Sequence, residues 1–389
     1  MTTASKKNTK EGVPQRKTRN AGPRRFGISE SAIANSRPTG PGRSTLLKGA
    51  ILGRVRHARD HRKKGHNFPA RGSQVYNSQV LERISRLIDW SRIEALLSEL
   101  HSGRMGAPAY PSLLMFKALL LQRWYDLSDP SLEEALKDRL SFRRFIGLPL
   151  SEAIPDHCTL WRFREALGPK LCERIFVEIG KQIESSGFVM KQGTLIDASL
   201  VPSAVNAPKR PNKPLPPDAS GRPASKLIKS EHDPDAAWTK KEGKYYFGYK
   251  LHAAMDKTSR IIRRVLVTPA NINESQEADH LICGDEKIVY ADKAYDSRER
   301  RKNLTLRGIS NGIMRRGHHN RPLTPAEVRR NERISKHRGA IEPLFSLFKN
   351  VYGFARARYR GLVRNTCAIT LAAIAINLKR WANGQPLPT

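Results

Sequence analysis

Two runs that read as buried strands each carry an aspartate where an apolar residue belongs: Asp197 in TLIDASLV and Asp292 in IVYADKAYD. Carboxylates are almost never fully buried unless they are paired or bind a cation. A third acid, Glu342, lies in RGAIEPLFSLFK, where Ile341, Leu344, Phe345 and Phe348 recur at the period of one buried helix face. If these acids converge, they repel one another until a cation sits between them. All-oxygen ligands with open positions suit Mg2+ or Mn2+. Two such ions, about 3.5–4 Å apart, activate a water or hydroxyl and stabilise the leaving oxygen of a phosphodiester. Asp296, four residues past Asp292, is a rival second ligand. Val289-Tyr290-Ala291 favour Asp292 at the strand end, whereas Asp296 falls in a turn where Asp often caps a helix.

Arg338 and Lys349 lie four residues before and seven after Glu342, so on an ideal helix all three would share a face. Pro343 is tolerated only in a first helical turn, so the helix starts near Ile341 or kinks there. The row of charges reads either as a phosphate grip or as a solvated surface with one ion pair.

These acids need a sheet to position them. GTLIDASLV, KYYFGYKLHAAMD and RIIRRVLVTPAN read as successive strands, the last two joined by the turn Asp256-Lys257-Thr258-Ser259. A polar helix follows at about 274–284, then the strand with Asp292, the helix RKNLTLRG, the strand SNGIMRR and the helix of Glu342. This pattern is an α/β arrangement around a mixed sheet. Residues 75–190 are helical in period, with start signals at Ser128-Asp129-Pro130-Ser131 and Pro155-Asp156-His157. They read as a DNA-binding helical domain of helix-turn-helix type or as a plain helical support. The Pro/Lys-rich stretch 202–243 reads as a long loop inside a catalytic region spanning 191–383.

The chain has 70 Lys and Arg against 36 Asp and Glu, a net charge of +34, which points to a polyanion, nucleic acid first and an anionic membrane second. Residues 1–74 hold 18 Lys and Arg against Glu11, Glu30 and Asp60, with little apolar periodicity. That composition predicts a basic arm, disordered when free, that lies on phosphates or is merely a solvated tail. His57 and His61 have no further ligand beside them, so a metal site there is not expected. The first residues lack the apolar core of a secretory signal, although their Arg/Ser bias is shared with transit peptides. Cys158, Cys172, Cys283 and Cys367 show no zinc spacing and are expected to be reduced thiols of a cytosolic protein. The longest apolar run, Cys367 to Leu378, is shorter than the roughly 20 residues of a membrane span and reads as a buried helix.

The order GTLIDAS, FGYKLH, YADKAYDS and RGAIEPLFSLFK…FARARYRGL resembles the DDE transposases of bacterial insertion sequences, specifically the insertion sequence five group, over roughly residues 75–380. The helical run YPSLLMFKALLLQRWYDLSDPSLEEAL…PDHCTLWRFRE resembles that group's N-terminal domain. The resemblance implies an RNase H-like mixed sheet with flanking helices, preceded by an all-α domain and the basic arm. It implies a catalytic, metal-binding triad at Asp197, Asp292 and Glu342, with Mg2+ as cofactor and Mn2+ as substitute. Arg338, Glu342 and Lys349 match the wider class's signature of Tyr, Arg, Glu and Lys, but the tyrosine position is Ser335. Arg338 and Lys349 would then hold backbone phosphates. Arg356, Arg358 and Arg360 are further DNA-binding candidates, as are Lys250 and His252, for which a sheet-edge role is equally expected. The implied partners are the element's terminal repeats and target DNA, met as a homodimer in the bacterial cytoplasm at the nucleoid. The alternatives are a domesticated DNA-binding protein without catalysis and a nuclease that cuts without joining.

Overall fold

The computed structural model describes residues 74–100, 110–208 and 232–384. The expected basic arm, up to residue 73, and the middle of the expected 202–243 loop lie outside the described residues.

Six helices precede the sheet: α1 (Gln74–Leu87), α2 (Trp90–Leu97), α3 (Ser112–Trp124), α4 (Asp129–Asp138), α5 (Leu140–Ile146) and the long α6 (His157–Ser185), which is kinked at Gly168. The side chain of Ser128 accepts from the Ser131 N–H at the start of α4, and that of Asp156 from the Thr159 N–H at the start of α6. Each cap satisfies an amide that has no partner inside its own helix.

The sheet contains β1 (Thr194–Pro202), β2 (Ala237–Lys241), β3 (Lys244–Asp256), β4 (Ile262–Pro269), β5 (Ile288–Ala291) and β6 (Ser310–Ile313). β3 is the long central strand. One edge pairs antiparallel with β1; the other pairs with β2 over its first residues and with β4 over the rest. β5 lies parallel to β1 on its far side, and β6 parallel to β5. The result is the mixed sheet that the resemblance implied. β2 is an addition to the sequence reading, which had assigned its residues to the loop. Gly248 marks the point where β3 exchanges β2 for β4: its φ is +156°, and a Cβ there would meet the Val201 carbonyl at 2.4 Å. Only glycine lets the backbones approach so closely.

Alternation along the strands sorts the side chains onto two faces. Leu195, Val201, Tyr249, Leu251 and Met255 face the larger core, with α10 (Glu342–Asn350) and α11 (Leu362–Gly384). Ile196, Ala254, Val289 and Ala291 face a smaller core with α7 (Glu274–Leu281) and α8 (Arg298–Leu306). The helical part has no separate core: Leu119, Phe163 and Ile179 belong to the same cluster as Met255, Phe345 and Ile374. α11 is long and apolar enough to cross a membrane by length and composition, yet 72% of that stretch is buried inside the protein. Its Asn377 side chain pairs with both the N–H and the carbonyl of Ile262, each at 2.8 Å, and its Ala375 carbonyl accepts from the Trp124 indole at 2.8 Å. This helix therefore joins the helical part to the sheet.

Candidate active site

The strand that carries Asp197 outlasts its parallel neighbour. The pairing of Thr194 with Val289 and Leu195 with Tyr290, carried on two residues past its end, brings Asp197 level with Asp292. β5 stops at Ala291, and Asp292 turns the chain into a single 3-10 turn, Lys293–Tyr295, by accepting from the Lys293 N–H at 2.7 Å. Asp197 Oδ1 accepts from the Ala198 N–H at 2.9 Å, and Oδ2 accepts from Arg338 Nη2 at 3.0 Å.

Arg338 ends α9 (Pro325–Arg338), a helix started by Thr324 and Glu327 in a reciprocal cap. The 3-10 turn Gly339–Ile341 follows, and Glu342 opens α10 with Pro343 in its first turn. The break foreseen at Pro343 thus falls at 339–341, and Arg338 and Glu342 stand on successive helices rather than one. Ile341, Leu344, Phe345 and Phe348 are buried and hold this junction down, with the 3-10 turn packed on β1. Glu342 itself is exposed and makes no hydrogen bond or ion pair among the described residues.

The electrostatics are those of acids gathered at the end of a sheet. Burial pushes the Asp197 carboxyl above the usual carboxylate range, and the Asp292 charge adds to this against the pull of Arg338. Arg338, which burial alone would push down, is held up by Asp197, Asp292 and Glu342 together. A fourth acid, Glu274 at the start of α7, is raised by burial, with Asp197 and Asp292 contributing and Lys250 opposing. The Tyr295 hydroxyl is fully buried without a hydrogen-bond partner, and the charges of Glu274, Asp197 and Asp292 add to the upward push of burial on it. Glu274 and Tyr295 were missed by the sequence reading. The regular spacing of a polar helix and one apolar strand gave no signal for them.

Three carboxylates fit a hard divalent cation in donor chemistry. Their counter-charge here is a guanidinium on Asp197, and their oxygens do not form a group of three within 4.8 Å of one another. The group that does, among the described residues, is Cys283, Asp285 and Glu286. Its acceptors are already taken: Asp285 by Arg263 and Lys191, Glu286 by the N–H groups of Cys283, Gly284 and Asp285.

Residues 191–378 match the family model described as "Transposase DDE domain", and residues 70–166 match one described as "Transposase domain". The chain is a DDE-type transposase of an insertion sequence. It is accordingly a metal-dependent enzyme of DNA cleavage and strand transfer. A solved structure titled as a cryo-EM piggyBac transposase synaptic complex with hairpin DNA is 10% identical, with a TM-score of 0.36, covering 81% of this chain and 77% of that one.

The transposase distributes its other candidate residues unevenly. Asp296, the rival second ligand, is engaged as a structural acid: Oδ1 pairs with Arg301 at 2.8 Å and Oδ2 accepts from the Arg316 N–H at 3.3 Å. Asp292, by contrast, spends one oxygen on its own turn. Lys349 is half-buried, and burial pushes its ammonium down, with Lys241 adding to the effect. Lys250 and His252 are neither surface nor edge residues, because β3 has neighbours on both sides. Lys250 donates to the Ile272 carbonyl at 2.7 Å and lies 3.7 Å from Glu274. His252 is fully buried against Thr268 Oγ1 at 2.9 Å, and burial with the Lys250 charge pushes it down to about 4. Arg358 is likewise committed, paired with Asp126 of the α3–α4 turn. His252 is buried away from solvent with its Nδ1 lacking a hydrogen-bond partner among the described residues, and Arg358, partly exposed, is held by Asp126. Arg356 and Arg360 are exposed, as is Ser335 on α9.

Proposed function

We propose that the transposase cleaves the ends of an insertion sequence and joins the freed 3′-hydroxyl to target DNA, with Asp197, Asp292 and Glu342 holding two Mg2+ ions, or Mn2+ in their place. The observation that carries this reading is the convergence of three chain segments at the end of β5: Asp197 level with Asp292, and Arg338 bonded to Asp197 just before Glu342. The bound ions would activate the attacking oxygen and stabilise the leaving one. Asp197, rigid in mid-strand, fixes one side of the site. Asp292, on the turn, supplies the other. Exposed Glu342 is free to close on the ions from the helix.

Arg338 acts as the stand-in cation for Asp197. With a metal held by the acids, the Arg338 guanidinium would be available to a backbone phosphate, which it could grip bidentately. Lys349, Arg356 and Arg360 bring further positive charge to the DNA, as does the basic arm. Such contacts position the strand without reading its sequence. We assign the protein to the insertion sequence five group and to the bacterial cytoplasm at the nucleoid, acting as a homodimer on the element's terminal repeats. Incubating it with a labelled element end and Mg2+ or Mn2+ tests the reading. Cleavage with joining is expected. Cleavage alone would mark a nuclease, and binding without cleavage a non-catalytic DNA-binding protein.

A further inference from the structure

Beyond the acids, the transposase has a cavity of ≈ 440 Å³ lined by Ala204, Val205, Asn206, His232, Arg356 and Arg360. Its lining carries two guanidinium groups and no carboxylate. The nearby acids are engaged with other partners. Buried Asp233 accepts from Ser203, from Tyr249 and from the Gly361 N–H, and Asp235 accepts from the Leu362 N–H at 2.8 Å.

The two arginines are held differently. Arg356 Nε donates to the Ser203 carbonyl at 2.7 Å and Nη2 to Asn206 Oδ1 at 3.4 Å, which fixes its guanidinium against the end of β1. Arg360 is exposed and makes no hydrogen bond or ion pair among the described residues. One fixed and one free guanidinium facing a common hollow make a phosphate site, since a guanidinium fork matches phosphate oxygens.

We propose that this cavity is a phosphate-binding subsite that seats the DNA backbone at a fixed distance from the scissile phosphate. The inference rests on the reading of the chain as a DNA-cleaving transposase with Asp197 in its centre. The distance follows from β1. Five strand steps separate Asp197 from Pro202, which at about 3.3 Å each is roughly 17 Å. A DNA strand advances about 3.4 Å per nucleotide along the axis. With the duplex axis laid along β1, the seated phosphate lies about five nucleotides from the one that is cut.

The test has two arms. In the first, binding of a duplex of about 30 base pairs and arbitrary sequence is measured over a range of salt for wild type, Arg360→Ala and Arg360→Lys. Arg360 is exposed and makes no hydrogen bond or ion pair among the described residues, so the variant should melt with wild type. Arg360→Ala should lower the magnitude of the log-log salt slope by about 0.9, as expected when one phosphate is no longer neutralised, and Arg360→Lys should keep it. In the second arm, single neutral methylphosphonates are walked along an element end. Wild type should lose affinity several-fold at one position about five nucleotides from the cut, and Arg360→Ala should show no further loss there. An unchanged slope and an unaltered methylphosphonate profile for Arg360→Ala would overturn the subsite while leaving the transposase reading standing. Wild type that shows no salt-dependent binding to duplex would overturn both.

Discussion

Replacing Arg338 by alanine strands the Asp197 carboxylate. The pair is close, 3.0 Å, with side chains only 21% and 14% exposed. A fully buried pair broken on one side costs about 3–5 kcal/mol, and an exposed pair at most about 1 kcal/mol. This pair lies between the two, so about 2 kcal/mol is expected in metal-free protein. For a folded region of this size, that corresponds to a fall in Tm of about 3 °C. Added Mn2+ should restore much of the loss, because a cation on Asp197 replaces the missing guanidinium, and the variant should gain more from metal than wild type does. Single-turnover cleavage of a synthetic element end should still fall at least tenfold at saturating metal, because the released guanidinium has no substitute at the phosphate. Arg338→Lys should recover part of the rate, as a point charge replaces the fork. Differential scanning fluorimetry with and without Mn2+, beside the cleavage rates, decides the matter. A Tm within 1 °C of wild type together with normal cleavage would return Arg338 to an ordinary surface pair.

Other outcomes follow from the same geometry. Deleting residues 1–67 should lower the salt slope of DNA binding by about 0.9 for each phosphate the arm had neutralised, and an unchanged slope would show that the arm does not touch DNA. Lys349→Ala should slow cleavage with little change in Mn2+ affinity measured by titration calorimetry, because an ammonium is no metal ligand. His252 is folded away with its imidazole shifted from 6.5 to about 4. The unfolded chain therefore binds more protons between those values, and stability should fall by about 3 kcal/mol as pH drops from 6.5 to below 4. His252→Gln should flatten that acid limb in urea melts, and an unaltered limb would mean that His252 is not its source.

Much of the fold and the site was legible in the chain itself. Asp197 and Asp292 stood out because each interrupts an apolar strand, and that anomaly is local. The break near Pro343 was legible for the same reason, although only the structure fixes it at Gly339–Ile341. What depends on distant partners was not legible. Arg338 meets Asp197 across 141 positions of sequence, and Arg358 meets Asp126 in a turn of the helical part. Lys250 and His252 read as DNA-contact or sheet-edge residues because charged and polar residues usually lie at the surface; their burial depends on β3 having a neighbour on each edge. β2 escaped notice because its sequence, AWTKK, is short and half-polar and is held chiefly by pairing with β3. Helical residues of 75–190 lie in one core with the sheet and α11, whose packing partners no periodicity reveals.

Which acids do the chemistry is the central question, and one assay addresses it directly: single-turnover cleavage of a labelled element end by Asp197→Ala, Asp292→Ala, Glu342→Ala and Asp296→Ala, beside end binding and melting for each. The three triad variants should lose at least a thousandfold in cleavage while binding the end within a few-fold of wild type. Asp296→Ala, which removes the partner of Arg301 and of the Arg316 N–H, should melt lower yet retain cleavage wherever it remains folded. Normal cleavage by Asp292→Ala, with loss in a folded Asp296→Ala, would contradict the assignment of the second ligand and with it the proposed centre.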